Sequence, residues 1–159
     1  DPKGFVPYLN CAEVYFCLAE AYERNLVSGN AQKAYEMGIT KSCKESGQID
    51  SSAIAGFLTE TEVAWDGGTT TNLEKIALQK WISLFKQSVE GWSEARRTDV
   101  PLLTGVSADY AALGHNRPPF RMAYADEERS LNTSFPTEVV EDDIFYGTQV
   151  WWDTRKGVQ

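Results

Sequence analysis

The chain has 159 residues, of which 42% are hydrophobic and 24% charged, and its formal net charge is −8. This length supports one domain with a hydrophobic core, and the composition is that of an ordinary globular protein. The acidic balance argues against a nucleic-acid partner, because phosphate backbones bind basic faces. The longest apolar run is too short to span a bilayer, and no segment has the pattern of a signal peptide. Since the chain opens on Asp1-Pro2-Lys3-Gly4, we expect a fragment or a processed product.

The first two predicted elements are helices over residues 12–24 and 31–44, separated by a Ser-Gly-Asn break and followed by Gly47. Together they resemble the tetratricopeptide pattern, in which small residues let two helices approach closely and aromatic residues pack between them. The residues that fit this pattern are Tyr15, Leu18, Ala19, Tyr22, Ala31, Tyr35 and Gly38. A repeat-like helical hairpin is therefore predicted. Because a single repeat cannot bury its own faces, this hairpin needs further elements as neighbours.

A short apolar segment over residues 49–58, long enough for one or two helical turns, leads into a Gly/Thr-rich loop over residues 63–71. A capping-box sequence at the end of this loop starts the longest predicted helix, over residues 72–97. This helix is amphipathic. Its apolar stripe contains Leu78, Trp81, Ile82, Phe85, Val89 and Trp92. The opposing residues are Lys75, Gln79, Lys86, Gln87, Glu90 and Glu94.

One glycine, Gly91, lies inside this predicted helix, where it should cost about 1 kcal/mol relative to alanine. Because the apolar stripe continues on both sides of it, we predict that the helix does not end there. The missing side chain would instead let a neighbouring backbone or aromatic ring pack closely. Arg96 and Arg97 are predicted to tie the helix C-terminus, a favourable position for cations, to the loops that follow.

The sequence changes character after Thr98: prolines cluster, no long periodic segment remains, and only two short helices are predicted, near residues 107–113 and 137–141. The predicted fold is therefore mainly all-α, with tetratricopeptide-like helical hairpins and a long irregular, loop-rich C-terminal region. We treat residues 1–159 as a single region of a larger domain. Within it, residues 1–98 are helical and residues 99–159 form loops that wrap the helices.

No catalytic or metal-binding motif is recognisable, and no cofactor is predicted. The single histidine, His115, lies in a loop without a nearby nucleophile or orienting carboxylate, so a surface role is favoured. Two acidic clusters, at residues 126–128 and 141–143, lack a recognisable ligand spacing and are interpreted as solvated charges rather than a calcium site or a hydrolase pair.

The three cysteines show no zinc spacing. Cys11 and Cys43 lie almost symmetrically about the hairpin turn, so a disulfide between them is one alternative, and two small buried residues are the favoured one. Cys17 is interpreted as a small buried residue.

Trp65 is the clearest candidate for ligand binding, because it lies in the Gly/Thr loop with Asp66 beside it. An aromatic face can stack on a sugar ring while a carboxylate accepts hydroxyl hydrogen bonds. The alternative is that the ring closes the loop onto the core. Trp151 and Trp152 are interpreted as packing residues.

Several longer stretches resemble one family, the SusD/RagB-like outer-membrane lipoproteins, and specifically the C-terminal portion of their SusD-like, starch-binding associated branch. Residues 12–21 (AEVYFCLAEA), 35–42 (YEMGITKS) and 76–85 (IALQKWISLF) are similar to conserved helices of that family. Residues 92–101 (WSEARRTDVP) resemble its "W-x-E-x-R-R-T-G-x-P" ending, with Asp99 in place of glycine. Residues 121–132 are similar to "R-x-x-Y-P-x-x-E-x-x-x-N", with Ala125 in place of proline, and residues 150–153 (VWWD) fit the usual end.

The resemblance implies a non-catalytic protein that is lipid-anchored at the extracellular face of the outer membrane, through an N-terminal anchor absent from this chain. It implies a TonB-dependent, SusC-like transporter as partner and a glycan or another nutrient as ligand, with no metal. The family's ligand-binding aromatics vary, so Tyr8 and Tyr110 join Trp65 and Asp66 only on loop position and chemistry. Two alternatives remain open: a tetratricopeptide-like scaffold that binds proteins without sugar binding, and a glycan hydrolase that uses two of the acidic residues.

Overall fold

The computed structural model describes residues 7–47, 49–104, 108–112, 114, 117 and 124–135, and for residues 110 and 112 it describes the backbone alone. Within these ranges every regular element is a helix. The helices are α1 (Cys11–Glu23), α2 (Ala31–Gly47), α3 (Ser51–Phe57), α4 (Asn72–Ser83), α5 (Ser88–Thr98), α6 (Ala108–Ala112) and α7 (Asp126–Leu131). The predicted all-α class is thus confirmed. No described helix is long and apolar enough to cross a membrane.

The chain divides into two compact units, residues 1–101 and 102–159. The first contains α1–α5, and its boundary lies close to the predicted change of character after Thr98. The second contains α6 and α7, and in it the ring of Tyr124 packs edge-to-face on Phe135 with centroids 5.2 Å apart. The predicted helix at residues 137–141, His115, the acidic cluster at 141–143, Trp151 and Trp152 lie outside the described residues. The predicted wrapping of the helices by residues 99–159 stays a prediction.

The predicted hairpin is formed by α1 and α2, which make the most extensive helix contact of the first unit. Both helices begin at asparagine caps: Asn10 Oδ1 accepts from the Glu13 amide at 2.6 Å, and Asn30 Oδ1 accepts from the Lys33 amide at 2.7 Å. The interface depends on Gly38, because a Cβ atom there would lie 2.7 Å from the ring of Phe16. The predicted role of small residues in this close approach is therefore correct.

The buried face of α1 is rotated from the predicted one. Ala12, Phe16 and Ala19 are fully buried, whereas Tyr15 is half-buried and Leu18 is exposed. Cys17, predicted to be buried, is exposed, as is Cys11, and all three cysteines are free thiols. The core cluster also contains Ala34, Tyr35, Ile39, Val63 and Ile76, with Tyr22 packed against its edge.

The predicted helix over residues 72–97 is wrong in its continuity, because the chain turns between α4 and α5. The Gln87 amide donates to the Leu84 carbonyl at 2.7 Å, and the buried Gln87 side chain bonds both to the Tyr8 carbonyl (3.1 Å) and to Asn10 Nδ2 (3.0 Å). No Gly or Pro marks this turn. The side-chain contacts of Gln87 with the segment before α1 stabilise the break.

The predicted amphipathic faces of this segment are wrong for most of their residues, although Lys86 and Glu90 are exposed as predicted. The buried side of the segment also contains the apolar residues Ile76, Ala77, Leu84 and Ala95. Lys75, Gln79, Gln87 and Glu94 are buried, together with Lys80. Leu78, Ile82, Phe85 and Val89 are exposed, and Trp81 and Trp92 are half-buried. Hydrogen-bond partners inside the bundle accommodate Lys75, Lys80, Gln87 and Glu94, as described below.

Gly91 lies inside α5 and is buried, as expected for a helix that continues through it. A Cβ atom there would meet the Leu84 carbonyl at 3.7 Å and Trp81 Nε1 at 4.0 Å, which are ordinary contacts. Close packing by a backbone and an aromatic ring is thus present, but it leaves room for a methyl group. The helix ends at Asp99, whose φ of 61° is the left-handed conformation that glycine adopts readily at this position.

Candidate functional site

The candidate ligand loop, residues 58–71, connects α3 to α4 and contains Trp65 and Asp66. Its backbone is bound to α4 by Lys75, which is only 2% exposed. Lys75 Nζ donates to the Ala64 carbonyl at 2.5 Å and also to the Gly67 carbonyl. These bonds compensate part of the cost of burying an ammonium group, and they fix the loop on either side of Trp65. Sequence reasoning placed Lys75 on the solvent side and so missed this role.

The Trp65 ring packs on the hairpin core. Its centroid lies 5.6 Å from that of Tyr35, at an interplanar angle of 52°, and it is half-buried against the core cluster. The hydroxyl of Tyr35 donates to the Val63 carbonyl at 2.9 Å, which joins the same loop to α2. Burial raises the pKa of this phenol above its usual range. Of the two interpretations of Trp65, the geometry favours packing, and ligand binding by this residue stays a prediction.

Asp66 is exposed and is held by reciprocal hydrogen bonds with Asn72 at the start of α4. Asn72 Nδ2 donates to Asp66 Oδ1 at 2.7 Å, and the Asp66 amide donates to Asn72 Oδ1 at 3.1 Å. The backbone of Asp66 has a positive φ of 56°, which a short polar side chain tolerates. Since a carboxylate has about four acceptor positions, Asp66 retains capacity for ligand hydroxyls.

Tyr8, one of the other two candidates, does not join this loop. Tyr8 is 99% exposed, and its carbonyl accepts from Gln87, beyond the C-terminal end of α4. Trp65 lies at the N-terminal end of α4, and a twelve-residue helix is about 18 Å long. Tyr110 lies in α6, in the second unit, and its side chain is not among the described parts. Within the first unit, the candidates thus lie at two places, Trp65 and Asp66 in one loop and Tyr8 near the opposite end of α4.

A charged network, which sequence analysis did not anticipate, joins α1, α4 and α5. Arg97 forms a two-pronged ion pair with Glu20, at 2.7 and 2.8 Å, and a further one with Glu94 at 2.7 Å. Lys80 donates to the same Glu94 carboxylate at 3.0 Å. The predicted role of Arg97 is corrected: it connects α5 to α1 rather than to the following loops. Arg96 lies over the Trp92 ring, 5.2 Å from its centroid, and its predicted contact with the following loops stays a prediction.

The network shifts the titration of its carboxylates. Hydrogen bonding to Arg97 lowers the pKa of Glu20 to about 2, and Arg24 at 2.9 Å acts in the same direction. Burial raises the pKa of Glu13, whose Oε2 atom is buried without a hydrogen-bond partner. Since every strong carboxylate contact in the network is to a cation, its arrangement serves stability rather than acid–base chemistry. Among the described residues, no group of His, Cys, Asp or Glu side chains is placed to bind a metal ion.

Comparison with known proteins connects this fold to one family. Residues 2–125 match the SusD-like family model described as "Starch-binding associating with outer membrane". Comparison with curated proteins gives no significant match. Among solved structures, the chain is similar to a Bacteroidetes AC2a SusD-like protein, with TM-score 0.69, 24% identity, and coverage of 91% of this chain and 30% of that one. That likeness shows the fold.

Two further structures are similar at somewhat higher identity. A chitin-binding SusD homologue from Flavobacterium johnsoniae gives TM-score 0.59 and 29% identity, over 76% of this chain and 30% of that one. A SusD homologue from Bacteroides fragilis gives TM-score 0.60 and 28% identity, over 79% of this chain and 29% of that one. The chain thus spans about a third of the length of these structures. Because the family model matches most of its residues, the chain belongs to the SusD-like family.

Proposed function

We propose that the chain is part of a non-catalytic cell-surface protein that binds a glycan, or another nutrient, for uptake through a TonB-dependent outer-membrane transporter. The observation that carries this proposal is the family match over residues 2–125. The chitin-binding description of the Flavobacterium johnsoniae homologue supports a saccharide as ligand. The protein would act at the extracellular face of the outer membrane, held there by a lipid anchor.

The described residues support recognition without bond cleavage. The carboxylates of Glu20 and Glu94 are engaged by arginine and lysine, and the acidic cluster that begins α7 is exposed. Neither arrangement provides two carboxylates that face each other across a cleft, one of them with a raised pKa, which glycoside hydrolysis requires. The raised pKa of Glu13 arises mainly from burial within the helical bundle. Aromatic stacking and hydroxyl hydrogen bonds are the interactions through which this chain would hold a sugar.

Isothermal titration of the chain with maltohexaose and with chitohexaose tests the ligand class. Binding of either oligosaccharide, without release of new reducing ends over hours, is the expected result. Trp65→Ala, compared with Trp65→Phe as a matched control for loop packing, then tests the loop. If Trp65→Ala binds as the wild type does, Trp65 is a packing residue only; release of reducing ends would contradict the non-catalytic proposal.

The transporter partner requires the intact protein in its membrane. The intact protein carrying an affinity tag is expected to co-purify, from detergent-solubilised outer membranes, with one TonB-dependent transporter in near-equal amount. An uptake defect for the bound saccharide in a deletion strain is the accompanying physiological result. Purification of the protein free of any such transporter, with normal uptake after deletion, would contradict this part of the proposal.

The protein-binding scaffold remains the second candidate, and one feature favours it. An open, mainly apolar groove of about 300 Å³ runs between α1 and α2, with Tyr15, Leu18 and Met37 among its lining residues. Grooves between paired helices accept an apolar helix or peptide face. Leu18→Glu should abolish binding of a protein partner and leave oligosaccharide binding unchanged, which separates the two functions.

A further inference from the structure

We propose that a second groove, at the end of the helical bundle distant from Trp65, is a subsite for a neutral sugar ring. This groove lies where the start of α1, the last turn of α2 and the end of α4 meet, and it has a volume of about 280 Å³. Phe85, Ser42, Glu45, Ser46 and Lys86 are among its lining residues. Its size is near the lower limit of small-molecule sites, as expected for one or two sugar units. The inference rests on the proposed saccharide-binding function.

The first argument is a row of polar side chains on α2 that have no partner. Ser42, Glu45 and Ser46 are spaced i, i+3 and i+4, so they share one helix face, and they line the groove together. None of the three makes a hydrogen bond or ion pair through its side chain within the described structure. Two hydroxyls and a carboxylate in such a row can both donate to and accept from the hydroxyls of a sugar.

The second argument is the aromatic ring that lines the same groove. Phe85 is 62% exposed, an unusual state for a large apolar ring, and it lies in the turn between α4 and α5. The Lys86 ammonium lies 5.6 Å from its centroid, so the ring has a polar neighbour. An exposed ring flanked by donors and acceptors is the combination that recognises a pyranose, whose C–H face is apolar and whose edge is polar.

The third argument is that the groove is formed before any ligand binds. Asn10, which lines it, donates to the Ser83 carbonyl at 3.5 Å and to Gln87 Oε1 at 3.0 Å. Gln87 in turn donates to the Tyr8 carbonyl at 3.1 Å. The segment before α1, the turn after α4 and α1 itself are thereby connected, which reduces the entropy lost on binding. The fully exposed Tyr8 is attached to this same connection and could extend the surface for a longer glycan.

Charge favours a neutral ligand over an anionic one. The chain carries a net charge of −8, and the groove contains one carboxylate and one ammonium, which balance each other. Uronic or sulfated glycans would be repelled by this overall field. The shared chemistry is therefore a neutral hexose or N-acetylhexosamine chain, for which maltohexaose and chitohexaose serve as separate probes.

The test is a heteronuclear NMR titration of the chain with each oligosaccharide, followed by the same titration with Phe85→Ala and with the Ser42→Ala/Ser46→Ala double variant. Val89→Ala is the matched control, because Val89 is also an exposed apolar residue of this segment but does not line the groove. We expect the oligosaccharide to change the chemical shifts of the amides of residues 42–46 and 84–87. Both groove variants should bind it at least tenfold more weakly, and the Val89→Ala control should bind it with unchanged affinity. Circular dichroism confirms that each variant is folded.

Each other result is decisive. If Phe85→Ala leaves oligosaccharide binding unaffected and the ligand changes the chemical shifts of other amides only, the groove is not the subsite. The proposed function is then left intact. No binding of either probe at millimolar concentration overturns both for this chain. If Val89→Ala weakens oligosaccharide binding as much as Phe85→Ala does, and the sedimentation of the wild type depends on concentration, the Phe85 ring is a protein contact. That result overturns the sugar subsite.

Discussion

Removal of Glu94 should destabilise the first unit more than loss of any exposed carboxylate. The Glu94 side chain is only 6% exposed, and its oxygens accept from Lys80 Nζ at 3.0 Å, Arg97 Nη2 at 2.7 Å and Arg97 Nε at 3.3 Å. Glu94→Ala leaves the Lys80 ammonium buried without its counterion. Breaking a buried pair in this way costs roughly 3–5 kcal/mol.

The lower end of that range is expected, because Arg97 is partly solvated and keeps its two bonds to Glu20. We therefore predict a loss of about 3 kcal/mol in the free energy of unfolding. The paired replacement Lys80→Met/Glu94→Leu removes both charges and fills the space, so it should cost about 1 kcal/mol or less. The single changes Lys80→Met and Glu94→Leu and the double change form a cycle in which the coupling between Lys80 and Glu94 exceeds about 1 kcal/mol.

Urea unfolding at pH 7, followed by tryptophan fluorescence, measures these differences. Glu90→Ala is the matched control, since Glu90 is an exposed glutamate on the same helix and should change the unfolding free energy by less than about 0.5 kcal/mol. If Glu94→Ala cost no more than this control, Lys80 would have found water or another partner. The ion pair with Glu94 would then not explain why Lys80 is buried.

Three further predictions follow from the same structure. Gly38→Ala should lower the free energy of unfolding by about 1–3 kcal/mol, because its Cβ would lie 2.7 Å from an aromatic ring. Gly91→Ala should leave this free energy unchanged or raise it by up to about 1 kcal/mol, because its Cβ would make only ordinary contacts. Equal effects of the two changes in urea unfolding would contradict this difference in packing. The pKa of Glu20 is about 2 in the folded protein against 4.5 ordinarily, so its contribution is complete above pH 4.5 and is lost as the pH falls towards 2. The free energies of unfolding of the wild type and Glu20→Gln should accordingly differ by about 1–2 kcal/mol at pH 7, a value discounted for the partial exposure of Arg97. The two free energies should converge near pH 2, and a difference that stays constant with pH would refute this role of Glu20. Val89→Gln should change the unfolding free energy by less than about 0.5 kcal/mol, because this side chain is 72% exposed, and a large loss in urea unfolding would restore the originally predicted face.

The hairpin could be predicted from the sequence because its signals are local. Helical spacing and the Ser-Gly-Asn break between the two helices both act within a few residues, and Gly38 lies within one of these helices. The exact buried face of α1 could not be read in the same way. Tyr15 and Phe16 are adjacent, both aromatic, and equally compatible with a helix, so only the position of Gly38 on the partner helix selects Phe16 for the core.

The break between α4 and α5 could not be predicted because its cause is distant in sequence. Residues 84–87 contain ordinary helix formers, and the bonds that hold the turn connect Gln87 to residues 77 and 79 positions earlier. The burial of Lys75 and Lys80 has the same origin, since each is accommodated by acceptors on another segment. Periodicity assigns charged residues to the solvent side by default, and it has no means of detecting such acceptors.

The side chains of the two candidate ligand regions differ in the contacts they already make within the helical bundle, and this difference indicates which region is the better candidate for binding. At the start of α4, the Trp65 ring packs on Tyr35, so a sugar that stacks on this ring must compete with a contact that holds the loop, and only Asp66 keeps free acceptor positions. At the far end of α4, Phe85 is exposed, and the side chains of Ser42, Glu45 and Ser46 make no hydrogen bond or ion pair with the described residues, so a ligand there adds contacts to these groups. Binding energy is the surplus over what is lost on association. On that criterion the groove beside Phe85 is the better candidate, although the sequence alone directs attention to the tryptophan loop.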